Sequence, residues 1–564
     1  MLVTAVDVCD DVVVQGMSDA QRDILDAESV TGHLLPPGSV YAFLAGHRQV
    51  LFPPEMFTDL FPTGRGRPSV PPEVVASVLV LQALNGLSDR QAAEAVTFDL
   101  RWKTACGLAV TDTSFHATTL TYWRKRLAAS KDPNRIFDAV RDVINKTGVI
   151  KGKTRRALDS TVLDDAVATQ DTVTQLVAAI RRVLRLVPGA AAVLAGRDTA
   201  CDYSRPGKPD IAWDDKAAKA VLVDGLVRDA LALLEALTSQ HTDADGGDAD
   251  PGTDLVVSGP VAAGVVAVGP SEADRALALL ALLAGQDVEW VDGPDSTGGG
   301  GWRIARKVAH DRVISTVDVE TRHAHKTRSR RHDGFKAHIW AEPDTGLITN
   351  AVLTKATGVG TGDAAAGAAV LAGDDTIDQD EHVQVLGDSA YGTGDLLAGL
   401  QAAGHDPVIK PWPMTANVAG GFTIDDFRIN HDMLSVTCPA GNVAPFTVKG
   451  RTANFGIACA TCPLQSRCTT AAAGRSVSVA VHEQITRAHR ARWAADVQMR
   501  ADYKRHRPMV ERSIAWLTRG ARKLRYIGVT KNDAWLKLRA AGINLRQLTA
   551  AGLSRTTTGW VIAT

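Results

Sequence analysis

The 564-residue chain lacks any apolar run long enough to cross a membrane. Its longest clean stretch, ALALLALLAG from Ala276, falls far short of the about 20 residues a span requires. The amino terminus, MLVTAVDVCDDVVV, has no basic n-region and carries acids inside its apolar run, so no secretory signal is expected and the chain reads as cytoplasmic. No GxSxG, P-loop or dinucleotide fingerprint occurs: the GGGG from Gly298 sits in a polar linker, not between a strand and a helix. Cysteine is scarce, with seven in the chain, and so is net charge, at −1. At this length three or four domains are expected, and 45% hydrophobic content suffices for sizeable cores.

The near-zero net charge hides a segregation. From Gln484 to Thr564 there are 17 Lys and Arg against 4 acids, and from Trp302 to His338 10 against 4, with five histidines. From Pro188 to Gly301 the balance reverses to 7 basic against 19 acidic residues. One basic run alone reads as a solvated helix face. Two, flanking candidate carboxylates, with a separate acidic unit, fit a DNA-handling enzyme.

Those carboxylates have three different settings. Asp159 in RRALDST and Asp388 in VQVLGDSAYG each close an apolar run that reads as a buried strand, whereas Glu511 in YKRHRPMVERSIAWL sits in an arginine-rich helical stretch. An isolated Asp after a strand is more often a turn or helix cap. Carboxylates at neighbouring strand ends, completed by a helical Glu, are also how a site for hard divalent cations looks in sequence. Glu483 competes for the third position but lacks the VER context. Asp318, His323 and His325 in DVETRHAHKTRSRRHDGFKAH read as DNA contact rather than metal ligands, because histidine suits zinc better than magnesium.

Four of the cysteines, Cys438, Cys459, Cys462 and Cys468, fall within 31 residues as CPAG and CATCPLQSRC. A four-thiolate structural Zn²⁺ site is the favoured reading. Two disulfides fit a reducing cytoplasm poorly, and an iron–sulfur cluster normally uses other spacing. Cys9, Cys106 and Cys201 are scattered and read as ordinary thiols.

Along the chain, SDAQRDILDA reads as a short helix and PTGRGRPS as a basic linker. PPEVVASVLVLQALNG reads as an apolar helix ended by Gly86, and Ser88 with Gln91 forms a capping box for the next. With the basic TLTYWRKRLAAS helix these make an all-helical region whose spacing fits a helix-turn-helix reader and a plain bundle equally. Three helices separated by polar linkers such as HTDADGGDADPGTD follow the first strand. Strands are then expected at RVISTVDVE, at a GFKAHIWAE–PDTG–LITNAVLT hairpin, at VQVLGDS and at DPVIK, with a helix at GTGDLLAGLQAAG.

The ordered set GRPSVPPEVVASVLVLQALNGLSDRQAAEAV, ALDST, GFKAHIWAEPDTGLITNAV, VLGDSAYG and VERSIAWLTRGARKLRYIG resembles the DDE transposases of bacterial insertion sequences, from about Gly64 to about Leu548 except roughly 171–300. The resemblance implies an α/β fold with an RNase H-like mixed sheet, interrupted by a helical insertion and a small four-cysteine zinc module, after an N-terminal all-helical domain. The expected boundaries are a 1–60 N-terminal segment, a 61–150 helical DNA-binding domain, 151–170 the first core strand, a 171–301 acidic insertion, 302–410 the middle of the core, a 411–482 cysteine insertion, and 483–550 the catalytic helix and basic tail. It implies metal-dependent end cleavage and strand transfer with two Mg²⁺ (or Mn²⁺) per site, Asp159 bridging both, Asp388 holding one and Glu511 the other. Double-stranded DNA, as element ends and target, is the expected partner, with a homodimer in the DNA complex, nucleoid association and no membrane. Expected DNA contacts are Arg124, Lys125 and Arg126, Lys336 and His338, and Arg507, Arg519, Arg522, Lys523 and Arg525. Related transposases carry a tyrosine, an arginine, the glutamate and a lysine at fixed steps. Here Tyr503 is one step early and Thr518, beside Arg519, stands at the lysine step, while Pro508 suggests that Arg507 opens the helix. A non-catalytic transposase-derived DNA binder and an RNase H-like nuclease without strand transfer are the alternatives.

Overall fold

Residues 72–85 are apolar on every side, so the helix they form, α1 (Pro72–Asn85), is buried along nearly its whole length. Gly86 ends it in the left-handed conformation at φ 67°, and the Ser88–Gln91 capping box starts the next helix, Asp89–Phe98. The basic stretch forms α2 (Thr118–Ala129). These elements belong to a computed structural model that describes residues 15–18, 25–62, 66–242, 271–292, 300–307, 309, 311–325, 331–378, 381–520 and 522–563. Most of SDAQRDILDA, part of PTGRGRPS, nearly all of HTDADGGDADPGTD and residues 326–330 lie outside the described residues.

Six strands build a mixed sheet: β1 (Arg155–Asp164), β2 (Arg322–His325), β3 (Arg331–Ala341), β4 (Ile348–Lys355), β5 (Gln384–Gly387) and β6 (Asp406–Ile409). The order is β2-β3-β1-β5-β6, with β4 also paired to β3. β3 runs antiparallel to β1, β2 and β4, whereas β5 lies parallel to both β1 and β6. The β3–β4 hairpin turns at PDTG, where the Glu342 carboxylate accepts the backbone N–H groups of Asp344 and Thr345 at 2.9 and 2.8 Å.

Side chains alternate across this sheet, and each face has its own helices. On one face α3 (Asp363–Ala372) and α4 (Gly394–Ala402) cover a core containing Leu158, Trp340, Val385 and Tyr391. On the other, α5 (Val497–Thr518) and α6 (Val529–Ala550) join Ala157, Leu163, Phe335 and Leu386 to a core that continues into the N-terminal helices through Val75, Leu79 and Leu81. The helical region therefore shares a core with the sheet instead of standing apart. At the α1–α6 crossing a Cβ on Gly542 would lie 2.9 Å from that of Leu84, so the close approach depends on that glycine.

RVISTVDVE is not a strand. Val313 and Ile314 are both buried while Val317 and Val319 are exposed, so burial does not alternate, and glutamine side chains satisfy the backbone in place of a ladder. Gln286 accepts from Val313 N–H, Gln175 and Gln286 donate to Val313 C=O, and Gln170 accepts from Thr316 N–H. The acidic insertion has its own core, built from helices Thr172–Leu186, Lys216–Thr242 and Glu272–Gln286. A hairpin, Val288–Val291 with Gly301–Ile304, packs on it, so the insertion runs past residue 301. The cysteine-bearing segment folds as short strands and turns around Phe427, Val436, Phe446 and Phe455. Among the described residues no helix is long and apolar enough to cross a membrane.

Candidate functional site

The β1–β5 register places two of the acids level. Pairing ends at Ala157↔Leu386, and Asp159 and Asp388 each follow two residues later. They share the parity of Ala157 and Leu386, so both are on the α5 face of the sheet. Asp388 directly follows β5, as expected, and caps the next turn by accepting the Ala390 N–H at 3.0 Å. Asp159 differs from expectation: β1 continues five residues beyond it to Asp164, because antiparallel pairing to β3 outlasts the parallel pairing to β5.

Above them α5 carries Tyr503, Arg507 and Glu511 at successive four-residue steps, hence on one helical face. Pro508 does not open this helix, which begins ten residues before Arg507 and runs through the proline. Arg507 is only 4% exposed in its side chain and pairs with Asp159 at 3.1 Å, while its Nη1 lies 3.9 Å from Glu511. Glu511 is largely exposed. Burial opposes the charge on Arg507, but Asp159, with a smaller part from Asp388, more than offsets it and holds the guanidinium above its usual range. Asp388 is pushed up, first by burial and then by Asp159 and Asp363, against the pull of Arg507 and the Ala390 N–H. Tyr503 packs edge-on against Trp493, and burial raises its hydroxyl. Among the described residues no group of three or more His, Cys, Asp or Glu side chains is arranged to hold a metal ion. In this arrangement the arginine neutralises Asp159 and partly screens Asp388.

Glu483 lies elsewhere. It is buried in an ion cluster with Arg487, Arg490 and Asp425, which accounts for its charge. Asp363 was not anticipated. It opens α3 behind the sheet, accepts a 2.6 Å hydrogen bond from Ser160 and pairs with Lys336 at 3.1 Å. In sequence GTGDAAAG reads only as a helix start.

The expected DNA contacts divide. Lys125 and Arg126 are exposed, the latter over the Phe61 ring, while Arg124 pairs with Asp89 and stacks on Tyr526. Lys336 and His338 face α3, on the opposite side of the sheet from Asp159, because their parity matches Ser160. His338 is buried and driven down to about 4, mainly by burial, so it offers no surface to a DNA backbone. Arg522 donates to Val162 C=O and Arg525 to Gly86 C=O, so both secure the fold, although Arg525 stays exposed. Lys523 is exposed beside Asp164 at the end of β1, and Arg519 is exposed at the end of α5.

Cys438, Cys459, Cys462 and Cys468 line one cavity of about 20 Å³, and none is in a disulfide. The Arg475 N–H donates to Cys459 Sγ at 3.4 Å. Burial raises the Cys468 thiol, and the other three cysteines add to the rise.

Two family models match the chain. Residues 437–549 match the model described as Transposase DDE domain, and residues 34–126 the model described as Transposase domain (DUF772). Both matches are consistent with a DDE transposase of insertion sequences. The first spans the four clustered cysteines and Glu511, the second the N-terminal helices as far as Arg126, while Asp159 and Asp388 lie outside both. No curated protein and no solved structure is significantly similar to the chain.

Proposed function

We propose that the chain is a DDE transposase that cleaves the ends of an insertion sequence and joins them to target DNA, with Asp159, Asp388 and Glu511 as its catalytic carboxylates. The observation that carries this reading is the convergence of Asp159 and Asp388 at level positions beneath the helix face bearing Arg507 and Glu511. The sheet order, with β1, β3 and β4 as an antiparallel set to which the short β2 adds, followed by β5 and β6 parallel to β1, is read as RNase H-like. The donor set fits Mg²⁺ or Mn²⁺: the oxygens are hard, and Asp388 sits half-buried near like charges that a cation would relieve. When bound, two such ions would supply Lewis-acid stabilisation of charge at phosphorus for both hydrolysis and strand transfer. Arg507, paired with Asp159 at the centre of the carboxylate cluster, is the cation positioned to meet a phosphate oxygen. Tyr503 lies one turn earlier on the same helical face as Arg507.

The DNA duplex is taken to lie along Lys125, Arg126, Arg519, Lys523 and Arg525, in a dimeric complex. The four cysteines are read as a structural Zn²⁺ site, since four thiols around a cavity big enough for one small ion are a donor set zinc accepts.

Replacing Asp159, Asp388 or Glu511 singly with Ala should lower Mg²⁺-dependent cleavage of DNA carrying the element ends by orders of magnitude, while affinity for those ends is kept. Glu483→Ala, which breaks an ion cluster, should lose about 1–3 kcal/mol of stability yet still cleave. Activity lost in Glu483→Ala and kept in Glu511→Ala would move the third ligand to the earlier helix.

A further inference from the structure

The face of the sheet turned away from Arg507 carries polar groups where an apolar core would be cheaper. Lys336, His338 and Ser160 project between the Leu158–Trp340 core and α3, and all three converge on Asp363. Asp363 and Lys336 are 17% and 20% exposed in their side chains, and His338 is 1% exposed. The Nδ1 atom of His338 is buried without a hydrogen-bond partner, 3.7 Å from the Asp363 carboxylate. Burying an ion pair together with an unsatisfied imidazole nitrogen opposes folding, so local stability does not explain the cluster.

Its connection to the candidate site does. Ser160 donates its hydroxyl to Asp363 Oδ1 at 2.6 Å, and its backbone N–H to Asp159 Oδ1 at 2.9 Å. One residue thus fixes a carboxylate on each face of β1. Lys336 pairs with Asp363 at 3.1 Å and supplies its counter-charge.

We propose that Asp363 is a fourth carboxylate of the site: a positioning residue that, through Ser160 and with Lys336 as its charge partner, holds Asp159 in the orientation needed to bind a divalent cation. This rests on the transposase reading of Asp159 and Asp388. The same geometry gives Asp363 no contact with DNA or with the reacting phosphate.

The test is Mn²⁺ binding by the full-length protein without DNA, followed by electron paramagnetic resonance, alongside kcat and KM for end cleavage. Ser160→Ala and Asp363→Ala should each weaken Mn²⁺ binding by roughly 10-fold or more, the range typical of residues that orient a metal ligand. The double variant should be little worse than either single one, because both cut the same link. Asp363→Asn, which keeps an oxygen for Ser160 to donate to, should recover part of the affinity. The loss in cleavage should fall on kcat, with KM for DNA unchanged. Folded Asp363→Ala binding Mn²⁺ as tightly as the parent overturns the proposal, as does a loss of thermal stability with metal affinity intact. If the parent binds no Mn²⁺ that depends on Asp159, the transposase reading of the site fails first and the proposal fails with it.

Discussion

Arg507 and Asp388 set the electrostatic character of the site between them. The guanidinium supplies one positive charge to a place where Asp159, Asp388 and Glu511 bring three carboxylates. Asp388 is an acid that folding makes harder to ionise, because burial and its acidic neighbours outweigh Arg507. A carboxyl whose folded pKa lies above its unfolded value binds its proton more tightly when folded. Stability is therefore lost as pH rises from the ordinary carboxylate range through the raised value, and at neutral pH the ionised group is a net cost. Asp388→Asn should accordingly raise the melting temperature of the metal-free protein at pH 7, and the gain should shrink as the pH falls below the raised value. The same variant should lose cleavage. An unchanged or lower melting temperature at pH 7 would mean that Asp388 is better compensated than its surroundings imply. Asp159 and Asp388 were legible in sequence because each interrupts or ends an apolar run, which only a buried strand requires. Asp363 was not, since an Asp opening a small-residue helix is indistinguishable from an ordinary first-turn acid, and its partner Ser160 is 203 residues away.

At the level of elements, the joint between the helical region and the sheet rests on Arg539 of α6. Its guanidinium, almost wholly buried, donates to Ala83 C=O near the end of α1 and to Trp516, Leu517 and Arg519 C=O at the end of α5. Helix C-termini leave carbonyls without partners, and a cation there answers both the missing donors and the negative end of the dipole. Burial lowers Arg539 to about 10, with Arg546 adding to the effect, so it remains a cation at neutral pH. Arg539→Met keeps the unbranched apolar stem but strands several carbonyls at about 1–3 kcal/mol each, so the expected loss exceeds about 3 kcal/mol. Urea unfolding should report it, and a change below about 1 kcal/mol would mean that water replaces the guanidinium. Sequence exposed α1 and its glycine stop, the capping box, the β3–β4 hairpin and α5, since each is written in local chemistry. It hid the Arg539 joint and misread RVISTVDVE, because glutamines distant in the chain and a buried arginine satisfy those backbones. Pro508 misled for the opposite reason: α5 tolerates a missing N–H where tertiary packing holds the helix.

Across the whole molecule, charge is sorted by position. The acidic insertion keeps its own core, while the segment after α5 returns to pair with the end of β1 and exposes Lys523 there. The cysteine-bearing module also stands on a separate core, small enough that a metal would contribute to its folding. Purified protein should contain about one zinc per chain, and Cys462→Ser should lose the metal and become protease-sensitive; folded protein free of metal removes the zinc reading. For DNA the two faces make a sharper distinction than the basic run as a whole. Arg522 and Arg525 donate to backbone carbonyls, so replacing them mixes folding with binding, whereas Lys125 and Lys523 are exposed with no such bond among the described residues. If these lysines meet phosphates, Lys125→Ala and Lys523→Ala should each leave thermal stability within about 0.5 kcal/mol and weaken DNA binding. Each lost contact releases about one fewer counterion, so the slope of log affinity against log salt should become shallower by about 0.9 per lysine and about 1.8 for the pair. A slope that stays the same in the double variant would place the duplex on another surface, while a change for Lys523 alone would confine it to the end of β1, where Lys523 lies beside Asp164.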